Sequence, residues 1–136
     1  MDIDHLDHFV LAVADVETTL AFYERVLGMR RLRFGEGRVA LGFGPHKINV
    51  KPHHAGMADD PLEARTPTPG AADFCLITRQ PLDTVLAQLR AQQVAVEAGP
   101  VQRSGARGPL RSVYFRDPDG NLIEVANELP AKDVAA

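Results

Sequence analysis

The chain has 136 residues, enough for one compact domain or two small halves sharing a core, and its 45% hydrophobic and 24% charged content excludes a disordered segment. With 15 Lys+Arg against 18 Asp+Glu the formal net charge is −3, which offers no general electrostatic footprint for nucleic acid. A single cysteine excludes an intrachain disulfide, and no apolar run approaches the roughly 20 residues of a membrane-spanning helix.

The chain opens Met1-Asp2-Ile3-Asp4, acidic where a secretory leader is basic, so a cytoplasmic protein is expected. Residues 6–13 form a short apolar run that reads as a strand. Asp15 follows at a helix N-cap position, and Val16, Leu20, Tyr23 and Leu27 then recur at helical spacing as one apolar stripe. Gly28 is placed to end that helix, since glycine accepts the left-handed cap conformation. Strands are predicted over 30–34, 38–43 and 47–51, separated by glycines and Pro45.

A Pro- and Gly-rich stretch, 52–70, reads as a linker, and after it the plan repeats. Residues 73–78 read as a strand, and Pro81 suits a helix's first turn. Leu82, Val85, Leu86 and Leu89 make a second stripe, and closing strands are expected over 94–97, 112–116 and 121–126. Asp117-Pro118-Asp119-Gly120 is a tight-turn signal between the last two. The tail after Asn127 is expected to fray. The order is βαβββ twice, an α+β fold. We read residues 1–136 as one domain, with module one at 4–53, a linker at 54–70 and module two at 71–127. Each sheet carries its helix on one face, leaving the other faces free to curve around a pocket.

The polar residues that interrupt apolar strands are the candidate site. His8 and Asp73 fall at equivalent places in the first strand of each module, and Asn49 and Glu124 at equivalent places in the last. A buried carboxylate is costly unless paired, hydrogen-bonded or bound to a metal. An imidazole, two carboxylates and a carboxamide converging from four strands would suit a divalent cation with N/O ligands. Each residue also has a plainer account: His8 as a hydrogen-bonded structural residue, Asp73 as a turn residue, Glu124 as a solvated side chain. The symmetry of the set across the repeat favours the site. Cys75, among Phe74, Leu76 and Ile77, reads as a small buried hydrophobe, and His53-His54 as loop surface whose side chains point opposite ways.

The runs at 6–13, at 21–29 (Ala-Phe-Tyr-Glu-Arg-Val-Leu-Gly-Met) and at 114–124 (Tyr-Phe-Arg-Asp-Pro-Asp-Gly-Asn-Leu-Ile-Glu) resemble the vicinal oxygen chelate superfamily. That superfamily holds glyoxalase I, extradiol dioxygenases and the fosfomycin- and bleomycin-resistance proteins. The resemblance covers residues 6–127, and the stretches 99–109 and 74–78 look like its glyoxalase domain-containing protein 5 and virulence-protein-like subgroup. It implies paired βαβββ modules forming a curved cup around a metal, a homodimer, and metal-ligand positions at His8, Asp73 and Glu124, with Asn49 as a possible fourth. It also aligns Tyr114 with a cup-facing tyrosine of the fosfomycin enzymes. Arg103 and Arg107 lie in a glycine-containing stretch read as a loop that could close over the cup and hold an anionic substrate group.

There are departures from the pattern. Asn49 stands where glyoxalase I commonly has a glutamate, Asp73 where it has histidine or glutamine, and Val10 where fosfomycin thiol-transferases carry a threonine. The expected function is a metal-dependent lyase, isomerase or thiol-transferase of glyoxalase type. It would act on a small substrate with vicinal oxygens, using one divalent ion (Mn, Ni, Zn or Fe) as Lewis acid and Glu124 as general base. The alternatives are a binding protein of the bleomycin-resistance type, sequestering a drug or metabolite, and an Fe(II) dioxygenase built on one histidine and two carboxylates.

Overall fold

The computed structural model describes residues 1–131; part of the tail expected to fray, 132–136, lies outside the described residues. Two compact units emerge, one of Met1–Ala72 with Pro118–Gly120, the other of Asp73–Asp117 with the chain from Asn121. Among the described residues no helix is long and apolar enough to cross a membrane.

The first unit runs β1 (His8–Val13), α1 (Val16–Leu27), β2 (Arg30–Phe34), β3 (Arg38–Phe43) and β4 (His46–Pro52). Its sheet has the order β1-β4-β3-β2, with β1 parallel to β4 and the other pairs antiparallel. Helix α1 begins where the sequence marks it: the Asp15 side chain accepts the Thr18 amide at 2.8 Å. It ends at Gly28, whose φ of 66° lets its amide reach Glu24 while Met29 reaches back to Tyr23. Leu20 and Tyr23 bury the helix's inner face, joined in the core by Leu11, Val13, Leu41 and Ile48. Period-two alternation sends the partners of these residues, among them His8, Val10 and Asn49, to the sheet's other face.

The second unit repeats the plan with β5 (Asp73–Ile77), α2 (Leu82–Ala91), β6 (Ala98–Ser104), β7 (Pro109–Arg116) and β8 (Leu122–Glu128), ordered β5-β8-β7-β6. Both sheets are four-stranded and mixed, so the architecture is α+β as expected. Its core sets Leu82, Val85 and Leu89 of α2 with Val113, Phe115, Ile123 and Val125. Between β7 and β8 the tight turn is held at its base, where Asp117 accepts the Asn121 amide at 3.0 Å and its side-chain N–H at 2.8 Å, both residues being buried.

One strand differs from the expectation. Residues 94–97 are irregular, and the strand lies just beyond them at Ala98–Ser104, in the stretch read as loop. Its glycines are what gave the stretch around Arg103 and Arg107 its reading as a loop. Because β6 is an edge strand, a proline without an amide is tolerated there, and the register shifts between Ala98 and Val101 to absorb it. Glycine is required at 99: φ is 99° and a Cβ would lie 2.3 Å from the Ser112 carbonyl oxygen.

Candidate metal and substrate site

In the second unit β5 and β8 run parallel with Asp73 opposite Leu122 and Cys75 opposite Glu124. In β7, Tyr114 pairs with Glu124 and Ser112 with Ala126. Alternation therefore places Asp73, Cys75, Glu124, Ser112 and Tyr114 on one face of the sheet, away from α2. At its centre Ser112, fully buried, donates its hydroxyl to Glu124 Oε2 at 2.6 Å. Beside it Arg103 Nε donates to the Tyr114 hydroxyl at 3.1 Å, with the guanidinium carbon 5.5 Å from the ring centroid.

The electrostatics follow from these neighbours. Burial pushes the Tyr114 phenol above its ordinary value, Arg103 pulls against this, and the negative Glu124 adds to it. The phenol is therefore neutral across the neutral range and keeps a proton to share. Shielding by the surrounding protein, then Glu124, pushes the Cys75 thiol up to about 12, so it is no nucleophile at neutral pH. Cys75 is nevertheless exposed, which corrects the buried position expected of it: Phe74 and Leu76, not Cys75, turn toward the interior.

Arg103 belongs to strand β6 and not to a loop, and its Nε is engaged by the Tyr114 hydroxyl. Arg107 sits in the turn after β6 and does not join this group; its Nε and a terminal nitrogen grip the two Glu128 oxygens at 3.0 and 3.1 Å. Ser112 was absent from the sequence-based candidates. Its signal was there, two residues before Tyr114 and so on the same strand face, but a serine among apolar neighbours carries no charge to draw attention.

His8 and Asn49 lie in the first unit. His8 opens β1 opposite Lys47, and Asn49 follows on β4 opposite Val10, so both face away from α1. His8 Nδ1 lies 2.7 Å from Asp7 Oδ2. A carboxylate only accepts, so Nδ1 carries a proton, and in the neutral ring Nε2 is then the nitrogen with a lone pair to offer. The same bond holds the Asp7 carboxyl below its usual range. This carboxylate–imidazole arrangement is the kind that orients a histidine toward a metal. Asn49 is buried, and its Oδ1 has no hydrogen-bond partner. Among the described residues no three His, Cys, Asp or Glu side chains gather into a group that could hold a metal. The sequence-based set draws His8 from one unit and Asp73 and Glu124 from the other.

Two four-stranded mixed sheets of one repeated order, each with a helix on one face, define the class to which this geometry belongs. The chain belongs to the glyoxalase/bleomycin resistance protein/dioxygenase superfamily, whose family model matches residues 5–125. It is similar to virulence protein STM3117 of Salmonella typhimurium, 47% identical over 126 residues that cover 93% of this chain and 85% of that protein. It is also similar to the glyoxalase domain-containing protein RDO1 of Mycosarcoma maydis, 41% identical over 97% of this chain and 73% of that one. Among solved structures, an integron cassette protein from the mobile metagenome of V. cholerae superposes with a TM-score of 0.89. It is 49% identical and covers 95% of this chain and 98% of its own.

Proposed function

We propose that this protein is a metal-dependent enzyme of glyoxalase type acting on a small substrate with vicinal oxygens. His8, Asp73 and Glu124 would hold one divalent ion, in a single domain whose functional form is a homodimer. The observation that carries the reading is the Ser112–Glu124 hydrogen bond: a half-buried carboxylate in mid-strand, steadied by a neutral hydroxyl where a structural carboxylate would take a cation. The His8 ring supports it, since Asp7 leaves Nε2 as the coordinating nitrogen. One imidazole and two carboxylates form a donor set that accepts Mn, Fe, Ni or Zn. The ion supplies Lewis-acid stabilisation of charge developing on a substrate oxygen.

The chain's own residues do the rest. Glu124 takes the proton released from the substrate carbon or thiol. Tyr114, protonated at neutral pH, donates a hydrogen bond to a substrate oxygen, and Arg103 keeps the phenol in place. Arg107, engaged with Glu128, would reach an anionic substrate group only by exchanging that partner.

Elemental analysis of the purified protein beside a His8→Ala/Glu124→Ala double variant tests the reading. We expect stoichiometric divalent metal in the wild type and its loss in the variant. Turnover of a chelating oxygen substrate should fall by about two to four orders of magnitude in Glu124→Gln, the range of a lost general base. A wild type that takes up none of Mn, Ni, Zn or Fe, yet binds small molecules without turnover, would identify a sequestering protein of the bleomycin-resistance type. Oxygen uptake with iron and a catechol would identify a dioxygenase.

A further inference from the structure

The first unit holds a cavity of about 950 Å3. One wall is the sheet face opposite α1, at Ala12 and Asn49; another is the segment 53–72, at Asp60, Leu62 and Glu63. That segment has no helix or strand of its own. Its entry is fixed, because the His53 amide donates to the Val13 carbonyl at 2.9 Å just beyond the β1–β4 ladder. Its crest is a tight turn. There the Glu63 amide donates to the Asp60 carbonyl at 3.1 Å and the Leu62 amide to Asp60 Oδ1 at 2.9 Å.

Charge ties this crest to the sheet. Lys51 of β4, on the same strand face as Asn49, donates from Nζ to Asp60 Oδ2 at 2.6 Å and lies 3.7 Å from Glu63 Oε2. Asp60 thus uses one oxygen for the turn and the other for the lysine. The Lys51 bond, then the Leu62 amide, hold the Asp60 carboxyl below its usual range, and Asp60 raises the Lys51 ammonium above its own. Both groups are therefore charged at neutral pH. Apolar burial adds little at the crest, since Leu62 is 94% and Met57 37% exposed. Ion pairs near the surface are weak and screened by salt, so this tie is far easier to open than the packed core.

We propose that residues 53–72 form a strap across the open face of the first sheet, latched by Lys51 to Asp60 and Glu63, and that releasing the latch uncovers that face. Opening is local. The turn at 60–63 moves as a unit because its own hydrogen bonds stay intact, and the His53 rung marks the fixed end. The latch lies within the first unit and does not depend on the metal-dependent reading.

A thiol placed on the cavity wall by Ala12→Cys, with Cys75→Ser removing the native one, reports on opening of the strap. N-ethylmaleimide, uncharged and so indifferent to Lys51, is the label. Leu62→Cys, on the exposed crest, controls for the effect of salt on the chemistry. We expect the Ala12→Cys thiol to react more slowly than the control, and Lys51→Met to speed it about two- to fivefold. Raising NaCl from about 0.05 M to about 1 M should do the same to the parent and nothing further to Lys51→Met. Asp60→Asn, which keeps an acceptor for the turn and lies outside the sheet, should act in the same direction. Lys51→Arg, which keeps the cation, should restore the slow rate. Trypsin gives a second reading at exposed Arg65: Lys51 precedes Pro52 and is no trypsin site, so Lys51→Met alters only the rate of cleavage. An Ala12→Cys thiol as reactive as the control, rates indifferent to Lys51→Met and to salt, or rates raised equally in Lys51→Arg would overturn the proposal. Metal content enters neither measurement.

Discussion

A carboxylate in the middle of a strand must be solvated, paired with a cation or given hydrogen bonds, and Glu124 takes the third course. Ser112 reaches it because both side chains lie on one face of adjacent antiparallel strands, two residue pairs apart in register. The bond fixes one carboxylate oxygen and with it the direction in which the group can act. Removing an oriented partner of a coordinating side chain typically costs 10–100-fold in metal affinity or activity, so Ser112→Ala should fall by about that factor. Metal titration and steady-state kinetics read the loss, and Ser112→Thr, which keeps the hydroxyl, should recover much of it. An unchanged affinity and rate in Ser112→Ala would mean the bond is structural only. Arg103 relates to Tyr114 in the same way, a charged donor holding a neutral phenol.

Among the elements, α1 shows how a helix boundary is written in the chain and how it titrates. The Thr18 amide bond holds the Asp15 carboxyl below its usual range. A lowered folded value means that the cap's stabilisation is complete above the ordinary aspartate value near 3.9 and is lost as pH falls through the lower folded value. Asp15→Ala should therefore melt below wild type at pH 7, and the gap should close as the pH is taken below about 4. Thermal unfolding followed by circular dichroism across that range checks it; a gap constant with pH would assign the difference to something other than the charged cap. The edge strand β6 is the contrasting case, because local composition argued for a loop and the ladder to β7 overrode it.

For the whole molecule each unit repeats the same strand order, and the proposed metal set draws His8 from one and Asp73 and Glu124 from the other. An ion that binds only the folded protein raises stability by about 2.7 kcal/mol at a hundredfold excess over its dissociation constant. Saturating Mn, Ni, Zn or Fe should thus raise the melting temperature of the wild type and leave that of the His8→Ala/Glu124→Ala variant unmoved. Equal shifts in both proteins would place the ion elsewhere, and no shift in either would remove the metal from the account. Sedimentation of the same samples tests the expected homodimer.

What the sequence determined by itself was the repeated βαβββ order, both helices with their stripes, the Asp15 cap, the Gly28 stop and the 117–120 turn. These depend on residues within a few positions of one another, where spacing and backbone preference act directly. Periodicity also sufficed to place Glu124 and Tyr114 on one strand face each. Only the tertiary structure decided that Cys75 is exposed, that Arg103 belongs to a strand and serves Tyr114, and that Arg107 is taken by Glu128. It also set Ser112 under Glu124 and left Asn49 Oδ1 without a partner beside an open cavity. Those outcomes depend on which strands pair and in what register, and pairing between residues far apart in the chain leaves no mark on local composition.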